Sequence, residues 1–184
     1  MFVPLRVHSV FSKGRGGATV EELAFWAARK KIPAAALADA GNVYGWGKWK
    51  RAAAAAGTRP LFGCEIEVGG RRFVFLVKNG EGYRNLMEIF NRGAVRAVEG
   101  LVAIRIPAGA PGGAGLDDAP AGPGGSGSGG NGNDTGLDGA EEALRASGDL
   151  YIGAGFSNFG PASDLARASG LPLVWANPLK FVDD

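Results

Sequence analysis

Leu5-Arg6-Val7-His8-Ser9, closing the apolar run Phe2-Val3-Pro4-Leu5-Arg6-Val7-His8, is the stretch whose reading decides the fold. Alternation along an extended strand would set Arg6 and His8 on one face and Leu5 and Val7 on the other. Three later apolar runs also stop at a polar or charged residue: Ala35 to Asp39 and Ala40, Leu61 to Glu65, and Leu173 to Asn177. In barrels of alternating strands and helices, residues at the carboxyl ends of different strands meet at one mouth. The pattern therefore predicts a single site drawn from Arg6, His8, Asp39, Glu65 and the turn Asn177 to Lys180.

Outward from that strand, Ser12 to Ala18 reads as a loop whose glycines let backbone approach the mouth. Thr19-Val20-Glu21-Glu22 is a capping box, opening a helix to about Lys31 with Leu23, Trp26 and Ala27 inward. Pro33 stops it, and a strand follows from Ala34 to Ala38. A second helix carries Tyr44, Trp46, Trp49 and the alanines 52–56, closing at Gly57; its aromatics suit a core or interface better than a stacking platform. Pro60 to Val68 and Arg72 to Val77 are strands joined at Gly69-Gly70 as a hairpin. A helix from Gly82 to Arg92 and a short strand from Gly100 to Ile106 come next.

From Pro107 to about Gly136 the composition turns to Gly, Pro, Ala, Ser, Asn and Asp, centred on Gly124 to Asn133. So little apolar surface cannot offset the entropy of ordering the segment, which predicts a disordered insertion. Beyond it the pattern predicts a helix capped by Asp138 and running to Ser147, a strand Leu150 to Gly153, a helix Ala162 to Ser169 closed by Gly170, and a strand Leu171 to Ala176. About seven strands with helices between most of them fit an α/β barrel or a doubly wound sheet, and both stay open here.

At 184 residues, 46% of them hydrophobic, the chain can bury one sizeable core, so one domain is expected. A net charge of +2 offers no basic block of the kind that marks a nucleic-acid tail, and leaves contact with DNA without support. Cys64 is the sole cysteine, which excludes an internal disulfide and suits a reducing compartment. No apolar stretch reaches about 18 residues, and no charged-then-apolar leader opens the chain. A cytoplasmic protein away from membranes is the expectation.

Several of these stretches, in order, resemble the blocks of the PHP (polymerase and histidinol phosphatase) domain. They are Phe2 to Ser9, Ala36 to Asn42, Gly63 to Val68, Lys78 to Leu86, Gly100 to Ala103 and Leu171 to Asn177. The Gly82-Tyr83-Arg84-Asn85-Leu86 block is most similar to the version at the amino terminus of the bacterial DNA polymerase III alpha subunit. The resemblance implies a distorted seven-stranded (β/α)7 barrel with a metal cluster at its carboxyl-end mouth, here one domain over 1–184 interrupted at about 107–136. Phe181 to Asp184 looks like the start of a continuation, which suggests an amino-terminal fragment of a longer polymerase subunit.

Active members of that family show His-x-His at the first strand, an Asp in the next loop, Asp-His-Gly, a Glu, a further His, a Cys and a closing Asn-Asp-x-His. Here Arg6 stands at the first His and His8 at the second, Arg15 falls near the loop Asp, and Ala40 sits in the Asp-His-Gly block, where Asp39 is kept. Glu65 is retained, Arg72 falls at the fourth-strand His, Pro107 near the Cys, and Pro178 and Lys180 replace the last Asp and His. Phosphodiester hydrolysis by clustered metals needs several imidazoles and carboxylates holding cations about 3.5–4 Å apart, and His8, Glu65 and Asp39 cannot supply them. The resemblance thus implies a degenerate domain without catalytic residues or resident metal. The alternatives are a residual phosphoesterase or 3′–5′ exonuclease with Zn²⁺, Mn²⁺ or Mg²⁺ at His8 and Glu65, and a free-standing binding module.

Implied partners are the polymerase body or other replisome proteins, the proofreading exonuclease among them. Four replacements, Arg6, Arg15, Arg72 and Lys180, are cations, so Glu65 is expected to be held by Arg6 or Lys180 where relatives hold metal. Shortening Gly124 to Asn133 is expected to leave the melting temperature within about a degree of the parent chain in a calorimetric scan, since the segment offers the core nothing.

Overall fold

Helix α1 (Val20–Arg29) starts where the capping box puts it: the Glu22 amide donates to Thr19 Oγ1 at 3.2 Å and the Thr19 amide to Glu22 Oε2 at 2.6 Å. Strand β1 (Ala34–Ala40) follows directly on Pro33, and α2 (Trp46–Ala55) then leads to β2 (Arg59–Val68). The computed structural model describes residues 2–107, 137–154 and 159–175. Gly69 and Gly70, both at positive φ (56° and 70°), make the two-residue turn into β3 (Arg71–Val77), a conformation that side chains bearing a Cβ seldom adopt. Asn79 caps α3 (Gly80–Arg92) by accepting from the Glu81 and Gly82 amides, and β4 (Leu101–Ile106) returns alongside β3. Helix α4 (Leu137–Ala146), β5 (Leu150–Ala154), α5 (Phe159–Ser169) and β6 (Leu173–Trp175) complete the described chain.

The six strands of the described residues form one sheet in chain order, β1 to β6. β1–β2, β4–β5 and β5–β6 pair in parallel, whereas β2–β3 and β3–β4 are antiparallel. An order without a reversal point excludes the doubly wound alternative. The result is a mixed α/β fold on a curled, half-barrel sheet. Period-two alternation sorts its side chains into an inner and an outer set. Ala38, Val74, Ile104 and Ile106 pack together on the inner face, with Leu5, Leu76 and Tyr151 against them. Outside, Leu37 packs with Leu23, Ala27, Trp49 and Ala53 of α1 and α2, while Phe73, Phe75 and Leu101 pack with Leu86, Ile89 and Leu144 of α3 and α4.

Two indole N–H groups fasten α2 to β2, Trp46 Nε1 donating to the Gly63 carbonyl at 3.1 Å and Trp49 Nε1 to the Leu61 carbonyl at 3.2 Å. Trp49 is 1% exposed, whereas Tyr44, expected on this helix, precedes its first turn and is 78% exposed.

Three expectations need correction. The segment Phe2 to His8, read as a strand, makes a single bridge, Val7 to Leu37, because Pro4 has no N–H to give and the chain bends at Leu5. That bend also parts Leu5 from Val7: Leu5 lies against the inner cluster and Val7 in the outer one. Asp138 is in the first turn of α4 rather than its cap, and its carboxylate accepts from Arg71 Nη1 at 3.0 Å. The expected insertion from residue 108 to 136 lies outside the described residues, as do Asn177, Pro178 and Lys180. Among the described residues no helix is long and apolar enough to cross a membrane.

Trp49→Ala removes a fully buried indole and its bond to β2, so a loss of about 3–5 kcal/mol is expected in denaturant titration. A loss under about 1 kcal/mol would show that α2 is not docked as described.

Candidate functional site

Glu65 lies in β2 opposite Val74 of β3 and next to Ala40 of β1, on the inner face and wholly buried. Moving a carboxylate there from water costs several kcal/mol unless charge and hydrogen bonds compensate it. Compensation comes from four residues on three segments. Arg6 Nε donates to Oε2 at 2.6 Å, His8 Nε2 to the same oxygen at 3.0 Å, and Arg15 Nη1 to Oε1 at 2.5 Å. Arg72 Nε stands 3.7 Å from Oε1. Burial pushes the Glu65 carboxyl up, but the His8 hydrogen bond and the charge and hydrogen bond of Arg6 outweigh it and hold the group far below the usual carboxylate range.

Backbone geometry explains how such distant residues meet. The Val7 amide donates to the Ala36 carbonyl at 3.0 Å and the Ala38 amide to the Val7 carbonyl at 2.8 Å, which seats residue 7 against β1 and turns Arg6 and His8 inward. The loop after Ser9 curls back through Ser12, Arg15 and Gly16. A Cβ on Gly16 would stand 1.9 Å from the Ser9 carbonyl oxygen, so only glycine permits the return that aims Arg15 at Glu65. With Nε2 donating to a carboxylate, His8 leaves Nδ1 buried and without a hydrogen-bond partner among the described residues.

Asp39 does not join this cluster. Its register partner is Cys64, and alternation sets it with Leu37 on the outer, helix-facing side. Its oxygens accept from the Ser9 amide (2.7 Å), Ser9 Oγ (2.8 Å) and Ser12 Oγ (2.6 Å), and Ser12 Oγ accepts in turn from the Ala40 amide at 2.9 Å. Asp39 therefore fastens the loop while Glu65 gathers the cations. Ser9 and Ser12 are the site residues that sequence reasoning missed, although Ser9 closes the quoted stretch and Ser12 lies three residues beyond it. Cys64 Sγ donates to the Asp39 and Asn42 carbonyls at 3.1 and 3.3 Å, and burial pushes its thiol up, so it stays protonated as a core residue.

Of the predicted set, then, Arg6, His8, Glu65, Arg15 and Arg72 converge, and Arg6 holds Glu65 as expected. Pro107 follows Ile106, the register partner of Arg72. Lys180 lies outside the described residues. Among the described residues no three His, Cys, Asp or Glu side chains gather as a metal site would need. Both Glu65 oxygens are taken by guanidinium groups, and cations surround the place where a metal would add charge. The donor set among the described residues does not fit a multi-metal centre.

A family model described as the PHP domain matches residues 4–103. The Leu171 to Asn177 block lies beyond that match. The chain is 35% identical over 100 residues to a DNA polymerase III subunit alpha of Caulobacter vibrioides, covering 48% of this chain and 9% of that one. It is 40% identical over 86 residues to an error-prone DNA polymerase of Symbiobacterium thermophilum, covering 46% and 8%. The chain thus spans about a tenth of the length of these relatives. A metal-dependent phosphoesterase structure from Bifidobacterium adolescentis superposes with a TM-score of 0.54 at 14% identity, covering 95% of this chain and 86% of that one, a likeness of fold alone.

Glu65→Gln strands buried guanidinium charge, so a loss of about 3–5 kcal/mol is expected at neutral pH, the range for breaking a buried pair. Because the folded pKa is depressed, the carboxylate's contribution is fully present above its unfolded value of about 4.3 and fades as pH falls below that toward the folded pKa. The gap between parent and variant in denaturant melts should therefore be constant from pH 8 to pH 5 and narrow on further acidification. A gap that is absent at pH 7 would refute the clamp.

Proposed function

The chain belongs to the PHP domain family, and we propose that it is a degenerate, non-catalytic member related to the domain of DNA polymerase III alpha, with a structural or protein-docking role in replication. The observation that carries this reading is the occupation of both Glu65 oxygens by Arg6 and Arg15. In this proposal guanidinium groups do permanently what metal cations do in relatives: they neutralise a buried carboxylate and tie strand ends to the preceding loop. Arg6, Arg15, Ala40, Arg72, Pro107, Pro178 and Lys180 are the replaced positions, and His8, Glu65 and Asp39 the vestiges. A side chain fixed in an ion pair cannot be displaced by substrate without leaving Glu65 buried and uncompensated, which opposes any return of hydrolytic chemistry.

The same proposal takes 1–184 as one domain in the cytoplasm. It takes the Phe2 to His8 segment as the seventh stave of a distorted (β/α)7 barrel whose sequence is interrupted at about 107–136. The docking partner is a polymerase body or another replisome protein, such as the proofreading exonuclease, on the strength of the polymerase relatives.

A second reading, a residual phosphoesterase with one Zn²⁺, Mn²⁺ or Mg²⁺, draws on one observation: the buried, unpartnered Nδ1 of His8. Assays with Mn²⁺ and Zn²⁺ on phosphate esters and single-stranded DNA separate the two. No turnover above background is expected; turnover abolished by His8→Ala would replace the first reading with the second.

A further inference from the structure

Positive charge is divided unevenly along the chain. Residues 1–63 hold ten Lys and Arg against three Asp and Glu, whereas residues 64–184 hold ten against fifteen. Of the first ten, Arg6 and Arg15 are buried in the Glu65 cluster and the other eight are exposed. The only carboxylates of this part are buried Asp39 and the pair Glu21 and Glu22 at the first turn of α1. A modest net charge thus conceals a strongly basic face on the α1–α2 side.

The fold collects those cations. The Thr58 hydroxyl donates to the Ile32 carbonyl at 3.1 Å and the Arg59 amide to the Pro33 carbonyl at 2.9 Å. These bonds set Arg59 beside the carboxyl end of α1, which carries Arg29, Lys30 and Lys31. At the other end of α2, Lys48 Nζ lies 5.9 Å from the Phe11 ring centroid, and the Tyr44 ring meets the same Phe11 edge-on at 6.5 Å. Between the two ends, Lys50 and Arg51 are exposed on α2, whose buried side is Trp49 and Ala53.

We propose that this face binds a single nucleic-acid strand, with the exposed cations of α2 and of the α1 end distributed along its phosphates and Tyr44 as a stacking surface for one base. Lys48, Lys50 and Arg51 occupy four residues of α2, roughly 5 Å of rise, and Arg59 with Arg29, Lys30 and Lys31 carries the charge on past the other end of the helix. An aromatic ring left 78% exposed beside a lysine at the end of such a row is the pairing used for strands without sequence preference. An acidic protein would satisfy the charges but gives no use for Tyr44. The face shares no residue with the Glu65 cluster, so its binding and the catalytic silence of the mouth stand or fall separately.

The test is fluorescence anisotropy of the whole chain with a labelled oligothymidine of about 15 nucleotides, near the upper site size of a strand-binding groove. Binding at 50 mM NaCl is expected to weaken roughly a hundredfold at 200 mM, the slope for about five single-strand phosphate contacts. The K48E/K50E/R51E variant should bind more than tenfold more weakly with an unchanged melting temperature. Y44A should bind several-fold more weakly with the same salt slope. If the triple variant does not fold, R29E/K30E/K31E on α1 carries the same expectation. Absence of binding at 50 mM NaCl, or affinity untouched by these variants, would overturn the proposal. So would tighter binding of a duplex of equal length, or equal displacement by polyglutamate or phosphatidylserine vesicles at matched charge.

Discussion

A carboxylate carried out of water governs the amino-terminal half of this protein. Glu65 is placed inside the sheet by the period of β2, and no choice of rotamer could return it to solvent from a residue with no exposed surface. Cations must therefore be brought to it, and they come from the segment before β1, the loop before α1, and β3. This explains why Phe2 to His8 keeps its place with only one bridge to the sheet. Its backbone is held at Val7, and its side chains on either side of Val7 are held by Glu65. Removing one cation leaves the others repelling across a less compensated centre, so the cluster is cooperative in the sense that its members cannot be valued singly.

The two buried carboxylates solve the same problem differently. Asp39 takes an amide and two hydroxyls, all neutral, whereas Glu65 takes an imidazole and guanidinium groups. Neutral donors are short and local, so Asp39 can dictate backbone shape: Ser9 and Ser12 wrap against β1 and the loop turns. Arginines reach further and keep their charge under all conditions, so Glu65 can draw on residues up to 59 positions away. Arg15 depends on both, since the turn that Asp39 fastens, with its close approach at Gly16, is what points the guanidinium inward.

Local chemistry was legible in the sequence wherever one or two residues decide it. The Thr19 and Glu22 capping box and the Gly69-Gly70 turn each act within a few bonds, and each stands where the sequence places it, whereas α1 ends at Arg29, with Lys31 at a φ of 52°, before Pro33 is reached. Convergence of Arg6, His8 and Glu65 was also legible, because alternation and strand-end position are simple periodicities. What failed was the assumption that all strand-end polar residues face one way: Asp39 pairs with Cys64, one position out of phase with Glu65, so it faces the helices. Ser9 and Ser12 were missed because a hydroxyl in a loop carries no pattern until its acceptor is known. The basic face was missed for another reason, that a whole-chain charge averages two halves of opposite sign.

The family match ends at residue 103, inside β4, yet nothing physical ends there. Ala103 pairs with Leu150 of β5, and Ala140, Leu144 and Leu150 bury themselves in the same cluster as Phe73, Phe75 and Leu101. Ion pairs cross as well: Arg71 to Asp138 and Glu141, Arg105 to Glu141, and Lys78 to Asp149. Those pairs are partly exposed and contribute little by themselves, about 0–1 kcal/mol each, but the apolar contacts beneath them do not have a free surface on either side of residue 103. An amino-terminal piece ending at β4 would expose one face of Phe73 and Phe75 and the edge of β4 to water. The segments beyond the match are therefore a structural condition for the Glu65 cluster, because β3, which carries Arg72 and abuts Glu65, is held in place from the far side by them.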